Sequence, residues 1–378
     1  VYCEDDGDFY VWYKNKWRKE TKDGRFVRSM VSIRLTDYFN KLLIKIRLDT
    51  DTDPKITQDK TLKILDVLKI IEKTTWLNNI WKELQSIISC KCDKIEFDMN
   101  PDVIGFNNLK YNFKTNEWTP LAYDDFITMT TNHDWIEPEQ KNMDFIDTQF
   151  KQIFPNEEIR RSYLSILYSC CIGGKKDKFV IANGNGGNGK GFINELLKLL
   201  LGDYAYDAPV NLLTKEFRGG PSPEAAHLHK KRVAIFKEPN STEKLFLGNI
   251  KTLVDNDTMN ARMNHSNNCK VVLNATLIME LNVKLNFAGK PTQAETRRFM
   301  DILFESSFTD KEEQLNDKTA VHFLSPYRHR ARFSIESSLL LQGHPLLMPF
   351  LFLESCSPRS LNTQPFLSPG QLLFFHLQ

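Results

Sequence analysis

A chain of 378 residues, 41% hydrophobic and 26% charged, is long enough for about two domains with full cores. Fifty Lys and Arg against 48 Asp and Glu leave a net charge of only +2, so any nucleic-acid contact must come from local basic patches and not from a global field. No apolar run approaches the ~18 residues that cross a bilayer, which argues against a membrane-spanning helical protein and for a soluble one. The seven cysteines, at 3, 90, 92, 170, 171, 269 and 356, include no C-x-x-C pair of the zinc or redox type and read as free intracellular thiols. Beginning at Val1, with nothing like a secretion signal, the chain reads as part of a longer protein with a domain before it.

From Phe9 to Leu48 aromatic and basic residues interleave, as in Phe9-Tyr10-Val11-Trp12-Tyr13-Lys14-Asn15-Lys16-Trp17-Arg18, and a turn at Asp23-Gly24 predicts a hairpin. Such a pattern serves either strand packing or stacking on single-stranded nucleic acid, and spacing alone leaves both open. Apolar residues at Leu62, Leu65, Leu68, Ile71, Leu77, Ile80 and Leu84 predict helix between Thr61 and Ile88, with Trp76 and Trp81 as core. Short strands and turns are expected between Ile95 and Thr131. Two amphipathic helices follow, about Gln140 to Ile153 and Asn156 to Cys171, with a domain boundary near residue 145.

The next stretch organises the rest. Gly184-Asn185-Gly186-Gly187-Asn188-Gly189-Lys190-Gly191 lies between an apolar strand, Phe179 to Ala182, and a helical run, Phe192 to Leu201. Glycines let successive N–H groups turn inward, the helix start adds partial positive charge, and a lysine reaches the outer phosphates. Gly184, Gly189 and Lys190 match G-x-x-x-x-G-K-[ST], but Gly191 stands where a hydroxyl would hold Mg²⁺. The bland alternative is a Gly/Asn-rich surface turn. Beyond it, the buried-type strand Arg232 to Phe236 ends in Lys237-Glu238-Pro239, and Thr276 to Leu281 ends in Asn282. Arg297-Arg298 precedes the run Phe299 to Phe304. Phosphate loop, acid, polar residue and arginine thus follow in order, each at the end of an element.

On these residues the segment from about Lys178 to Asp310 resembles the superfamily 3 helicase domain of the poxvirus- and giant-virus-type primase-helicases of large DNA viruses, and of related phage and plasmid proteins. Gly184 to Lys190 is similar to motif A, Lys231 through Glu238 to motif B, and Lys251 to Arg262 to the motif between B and C. That last motif usually reads Lys-x-Leu-Thr-Gly-Gly-Asp-x-x-x-x-Arg; here Val254-Asp255-Asn256 replaces Thr-Gly-Gly, and Lys251, Leu253, Asp257 and Arg262 keep their places. Asn282 is similar to the motif C sensor. Phe9 to Thr131 resembles the family's pre-helicase domain.

The resemblance implies an α/β fold, an AAA+-type P-loop parallel sheet with flanking helices, behind an α+β domain: 1–145 pre-helicase, 146–310 ATPase, 311–378 a poorly ordered tail. It implies ATP and Mg²⁺ as cofactors, with Gly184 to Gly191 around the phosphates, Glu238 as the catalytic and metal-facing acid, Asn282 as sensor, and Arg297 or Arg298 acting on a neighbouring subunit's nucleotide. It further implies a hexameric ring, single-stranded DNA contacted without sequence preference through Lys251, Arg262, His265 and Lys270, a primase domain or protein upstream, and a place in host cytoplasm or a viral replication site. Gly191 and Lys237 depart from the pattern and keep two rivals open, a hydrolysis-deficient nucleotide-binding ring or scaffold protein and an ATP-independent nucleic-acid-binding module. After Lys318 neither Lys nor Asp occurs, and the tail reads as foreign to the fold.

Overall fold

The computed structural model describes residues 1–3, 7–49, 53–91, 95–173, 177–217, 222–262, 268–282, 286–309 and 320–322. His265 and nearly all of the tail assigned no domain lie outside them. The chain divides into two compact units, Val1–Phe97 with Ala122–Thr128, and Asp98–Leu121 with Met129–Gln378. Among the described residues no helix is long and apolar enough to cross a membrane.

In the first unit β1 (Tyr2–Cys3), β2 (Asp8–Tyr13) and β3 (Lys16–Lys19) form an antiparallel sheet. The hairpin turn falls at Lys14-Asn15, both with left-handed φ (50° and 57°), and puts Trp12 opposite Trp17. Two residues with positive φ are what a tight hairpin matched to strand twist requires. The expected turn at Asp23-Gly24 is instead the start of α1 (Arg25–Leu48): Gly24 is its N-cap at φ 66°, and a Cβ there would run into the Trp81 ring. The buried Glu20 carboxylate accepts from Val27 N (2.7 Å) and Phe26 N (3.2 Å), satisfying donors at the helix start. The single helical stretch expected after Thr61 is two helices, α2 (Pro54–Ile71) and α3 (Thr74–Lys91). Trp81 is buried and donates to Lys22 O at 3.1 Å, while Trp76 is half-buried. The interleaved aromatics pack on each other: buried Cys3, Trp17 and Phe97 form a small core flanked by Tyr10, Trp12 and Phe126.

The second unit begins with the antiparallel strands β4 (Val103–Gly105), β5 (Leu109–Asn112) and β6 (Glu117–Pro120), followed by α4 (Gln140–Ile153) and α5 (Glu157–Cys171). Then come β7 (Phe179–Asn183), α6 (Lys190–Leu201), β8 (Ala205–Ala208), the short α7 (Asn211–Thr214) and α8 (Pro223–Ala226), β9 (Val233–Phe236) and α9 (Leu247–Asp255). The hairpin β10 (Thr258–Arg262) and β11 (Asn268–Val272) leads to β12 (Thr276–Leu281), α10 (Gln293–Thr296) and β13 (Phe299–Leu303); β14 (Ser307–Thr309) pairs with β15 (Ala320–His322).

Five strands form one parallel sheet in the order β13-β7-β12-β9-β8. Alternate residues serve its two faces. Val180, Ala182, Val233, Ile235, Ile278 and Ile302 join a core with α4, α5 and α6, and Phe179, Ile181, Ala234, Phe236, Leu277 and Met279 join another with α7 and α9. Covering both faces is what an all-parallel sheet demands, and it explains the near-continuous apolar strands. Ile104, Phe106 and Tyr111 belong to the first of these cores, so the strands of 98–121 pack with this unit although sequence grouped them with the N-terminal part.

Candidate nucleotide site

Parallel strands turn all their carboxyl ends to one edge, and the crevice there is where α/β sheets take ligands. At that edge the glycine loop joins β7 to α6. Gly184 (φ 147°) can carry no side chain, because a Cβ would stand 2.7 Å from Phe304 O and clash with Asn188. Gly189 (φ 92°) faces Ile153, whose Cγ1 would lie 3.0 Å from an added Cβ. The loop is braced from behind: Asn188 Nδ2 donates to Phe304 O (3.3 Å), Phe308 N to Gly187 O (2.8 Å) and Gly184 N to Leu281 O (3.2 Å). Asn185, Gly186 and Gly187 form the exposed crest.

Lys190 opens α6, and only 5% of its surface is exposed. Its ammonium donates to Gly184 O at 2.5 Å and Asn188 Oδ1 at 3.1 Å, curling back into the loop. Burial pushes its pKa below the ordinary lysine value, against the pull of Glu280 and Glu238. A desolvated cation held by neutral acceptors is poised to exchange them for an anion. Gly191, the second helical residue, is exposed, and a Cβ there would meet nothing within 4 Å.

Glu238 and Asn282, 44 residues apart, meet because β9 and β12 are neighbours with Phe236 opposite Met279. Asn282 donates from its backbone N to Glu238 Oε1 (3.1 Å) and from Nδ2 to Oε2 (2.7 Å). Sequence reasoning missed Glu280. Standing one register step beyond that pair, it accepts from Lys237 Nζ at 3.1 and 3.2 Å and from Asn194 Nδ2 of α6 at 2.7 Å. The available signal was an acid interrupting an apolar strand, on the face that alternation turns toward α6.

The arginine pair is elsewhere. Phe299 of β13 pairs with Phe179, the first residue of β7, so Arg297 and Arg298 stand at the amino edge of the sheet, opposite the phosphate loop. Arg298 grips Asp255 of its own chain, Nε to Oδ1 at 2.7 Å and Nη2 to Oδ2 at 2.5 Å, which holds its pKa above the usual arginine value. Arg297 is exposed, its carbonyl accepting from Lys178 Nζ (2.8 Å). Together with Asp177 these residues line a polar pocket of about 250 Å³. Among the residues assigned to DNA, Lys270 is exposed on β11 opposite Asn260, Arg262 ends β10 opposite Asn268, and Lys251 is exposed on α9. The structure therefore groups Lys190, Glu238 and Asn282, and separates the arginines from them.

The donor set fits a polyphosphate: a glycine loop that leaves no room for a Cβ at Gly184 and Gly189, at the start of a helix that opens with a buried ammonium. It does not fit a protein-held divalent cation. Gly191 offers no hydroxyl, Lys237 is a cation, both Glu238 oxygens are bonded, and among the described residues no group of three or more His, Cys, Asp or Glu side chains is placed to hold a metal.

Residues 1–157 match the family model described as D5 N terminal like. The chain is 27% identical over 266 residues to "Putative helicase L207/L206" of Acanthamoeba polyphaga mimivirus, covering 68% of this chain and 28% of the relative. It is 24% identical over 351 residues to "Primase D5" of fowlpox virus, covering 89% of this chain and 40% of the relative. It thus spans well under half the length of either. Among solved structures, the apo C-terminal region of NrS-1 (305–718) is similar at 12% identity and TM-score 0.44, over 72% of this chain and 60% of that one. With its D5 N-terminal-like region and relatives of this kind, the chain is similar to helicase and primase proteins of large DNA viruses over part of their length.

Proposed function

We propose that the chain is an ATP-driven DNA helicase of superfamily 3, with an AAA+-type ATPase unit working in DNA replication as a ring, hexameric as in the resembled family, beside a primase activity elsewhere in the protein or its partner. The observation that carries this reading is the convergence of Lys190, Glu238 and Asn282 at the carboxyl ends of three adjacent strands, β7, β9 and β12. Lys190 and the loop amides hold the outer phosphates. Glu238, oriented by two bonds from Asn282, positions the attacking water and takes its proton, and Asn282 reports whether the terminal phosphate is present. Hydrolysis of bound ATP supplies the free energy for movement along DNA. Arg297, exposed at the opposite edge from the phosphate loop, serves a neighbouring subunit's site in this reading, so isolated monomers turn over slowly. Single-stranded DNA runs against the β10–β11 hairpin, where Arg262, His265 and Lys270, with Lys251 on the helix before it, contact phosphates and read no bases.

The test is DNA-stimulated ATPase of the assembled protein, with Lys190→Ala as control. Turnover lost in that variant supports the reading. DNA binding indifferent to ATP, with no nucleotide bound, overturns it. A second reading, nucleotide binding without hydrolysis, is favoured by the missing hydroxyl at Gly191 and is identified by tight ATP binding without turnover.

A further inference from the structure

Two of the side chains that ordinarily fix the metal of a phosphate-loop site are the hydroxyl after the loop lysine and an acid at the end of the neighbouring strand. In this chain the first is Gly191. At the end of β9, Lys237 follows Phe236, and alternation turns it to the face that α6 covers. Its ammonium is not free to wander: Glu280, directly across on β12 and only 15% exposed, holds it with both oxygens at 3.1 and 3.2 Å and is itself fixed by Asn194 one turn along α6 from Lys190. Glu280 also acts on Lys190, raising its pKa against burial.

The charge arithmetic gives these replacements a common meaning. Lys190 and Lys237 set two ammonium groups against the carboxylates of Glu238 and Glu280, so the cluster is neutral. A carboxylate at position 237 would leave one ammonium against three carboxylates, a net of −2, and a polyphosphate could enter only with a divalent cation. Exchanging that acid for lysine changes the local charge by two units, the charge of one Mg²⁺.

We infer that Lys237, oriented by Glu280, is a second phosphate-binding cation that takes over the charge role of a protein-held Mg²⁺, so that this chain binds the polyphosphate of ATP without a divalent metal. The inference rests on the nucleotide-site reading above, and the experiment separates the two. ATP affinity of the 378-residue chain is measured by calorimetry in excess Mg²⁺ and in EDTA, for the parent, Lys237→Ala, Lys237→Arg and Lys190→Ala.

The expected result is parent affinity within about threefold in the two conditions, and a loss of about ten- to a hundredfold for Lys237→Ala in EDTA, the range for one hydrogen bond to a charged group. Added Mg²⁺ recovers part of that loss, and Lys237→Arg restores binding in EDTA. Lys237 is exposed and Glu280 keeps its bond to Asn194, so the alanine variant folds, and the arginine variant checks this directly. Parent binding that collapses in EDTA, or Lys237→Ala affinity equal to the parent there, overturns the role of Lys237 and leaves the nucleotide site standing. Undiminished binding by Lys190→Ala, or no binding by the parent in either condition, overturns the nucleotide site itself and the inference with it.

Discussion

Truncating each arginine of the pair separately divides catalysis from structure. Arg298 is 11% and Asp255 32% exposed at the side chain, and two of their bonds, at 2.7 and 2.5 Å, form a fork. Such a pair lies between an exposed ion pair, worth ~0.2–1 kcal/mol, and a charge-assisted bond in the interior, worth ~1.5–3 kcal/mol. Removing Arg298 should therefore cost about 2 kcal/mol, a fall of roughly 4–8 °C in Tm for a unit of this size. Arg297, exposed and with no side-chain partner among the described residues, should change stability by no more than about 0.5 kcal/mol. The five residues of β13 at ~3.3 Å each put the pair roughly 17 Å from the phosphate loop, beyond the reach of an arginine in its own subunit. Arg297→Ala should lower DNA-stimulated ATPase by on the order of 10³ as an arginine finger does, with nucleotide affinity kept. Mixing Arg297→Ala with Lys190→Ala should restore part of the activity, because some interfaces in mixed rings join an intact loop to an intact arginine. Full turnover in Arg297→Ala, or mixed rings as inactive as their parents, would refute the assignment. A thermally silent Arg298→Ala would refute the structural half.

Gly191→Ser adds a hydroxyl where a new Cβ meets nothing within 4 Å, so turnover should hold or rise; a collapse in the folded variant would show a loop organised around glycine. Lys270→Ala should weaken single-stranded DNA binding alike for two unrelated oligonucleotides and reduce the salt slope by roughly 0.7, and an unchanged slope would remove β11 from the DNA path. Lys190 supplies a pH test. Its folded pKa is below 10.5, so in the window between that lowered value and 10.5 the unfolded chain holds more protons and stability rises with pH. The stability difference between Lys190→Met and the parent, followed by urea unfolding, should shift in the parent's favour as pH climbs through that window, and a difference independent of pH would contradict the desolvated ammonium.

The helices over 140–153 and 157–171 and three strands of the parallel sheet, β7, β9 and β12, were legible because their patterns, 3.6-residue amphipathicity and short apolar runs, are local. The N-terminal hairpin was misplaced for a specific reason. Asp23-Gly24 has the residues of a tight turn, but its left-handed glycine caps a helix, while the real turn uses Lys14-Asn15, a lysine in a conformation that favours glycine or asparagine. At the site, the order of loop, acid and polar residue was readable, because each ends an element. Which end of the sheet each occupies was not. Only strand direction and register show that Asn282 meets Glu238 and that the arginines stand at the far edge. The Lys237–Glu280 pair depends on one cross-strand alignment between segments 43 residues apart, which no local pattern encodes.

The brace behind the phosphate loop has a consequence for the order in which the molecule can be made. Asn188 is held by a carbonyl 116 residues later, at Phe304, and Gly187 accepts from Phe308. While the chain emerges from the ribosome, β7 and α6 are complete long before the segment that shapes the turn between them exists. Closing so long an intervening loop carries an entropic cost that only the docked sheet repays, so the cradle is finished last. Nascent chains that stop short of Phe304 contain every residue of the glycine motif yet lack the wall that gives it form. Nucleotide protection should therefore appear abruptly along a series of lengthening chains, at the length that includes β13 and the residues just after it.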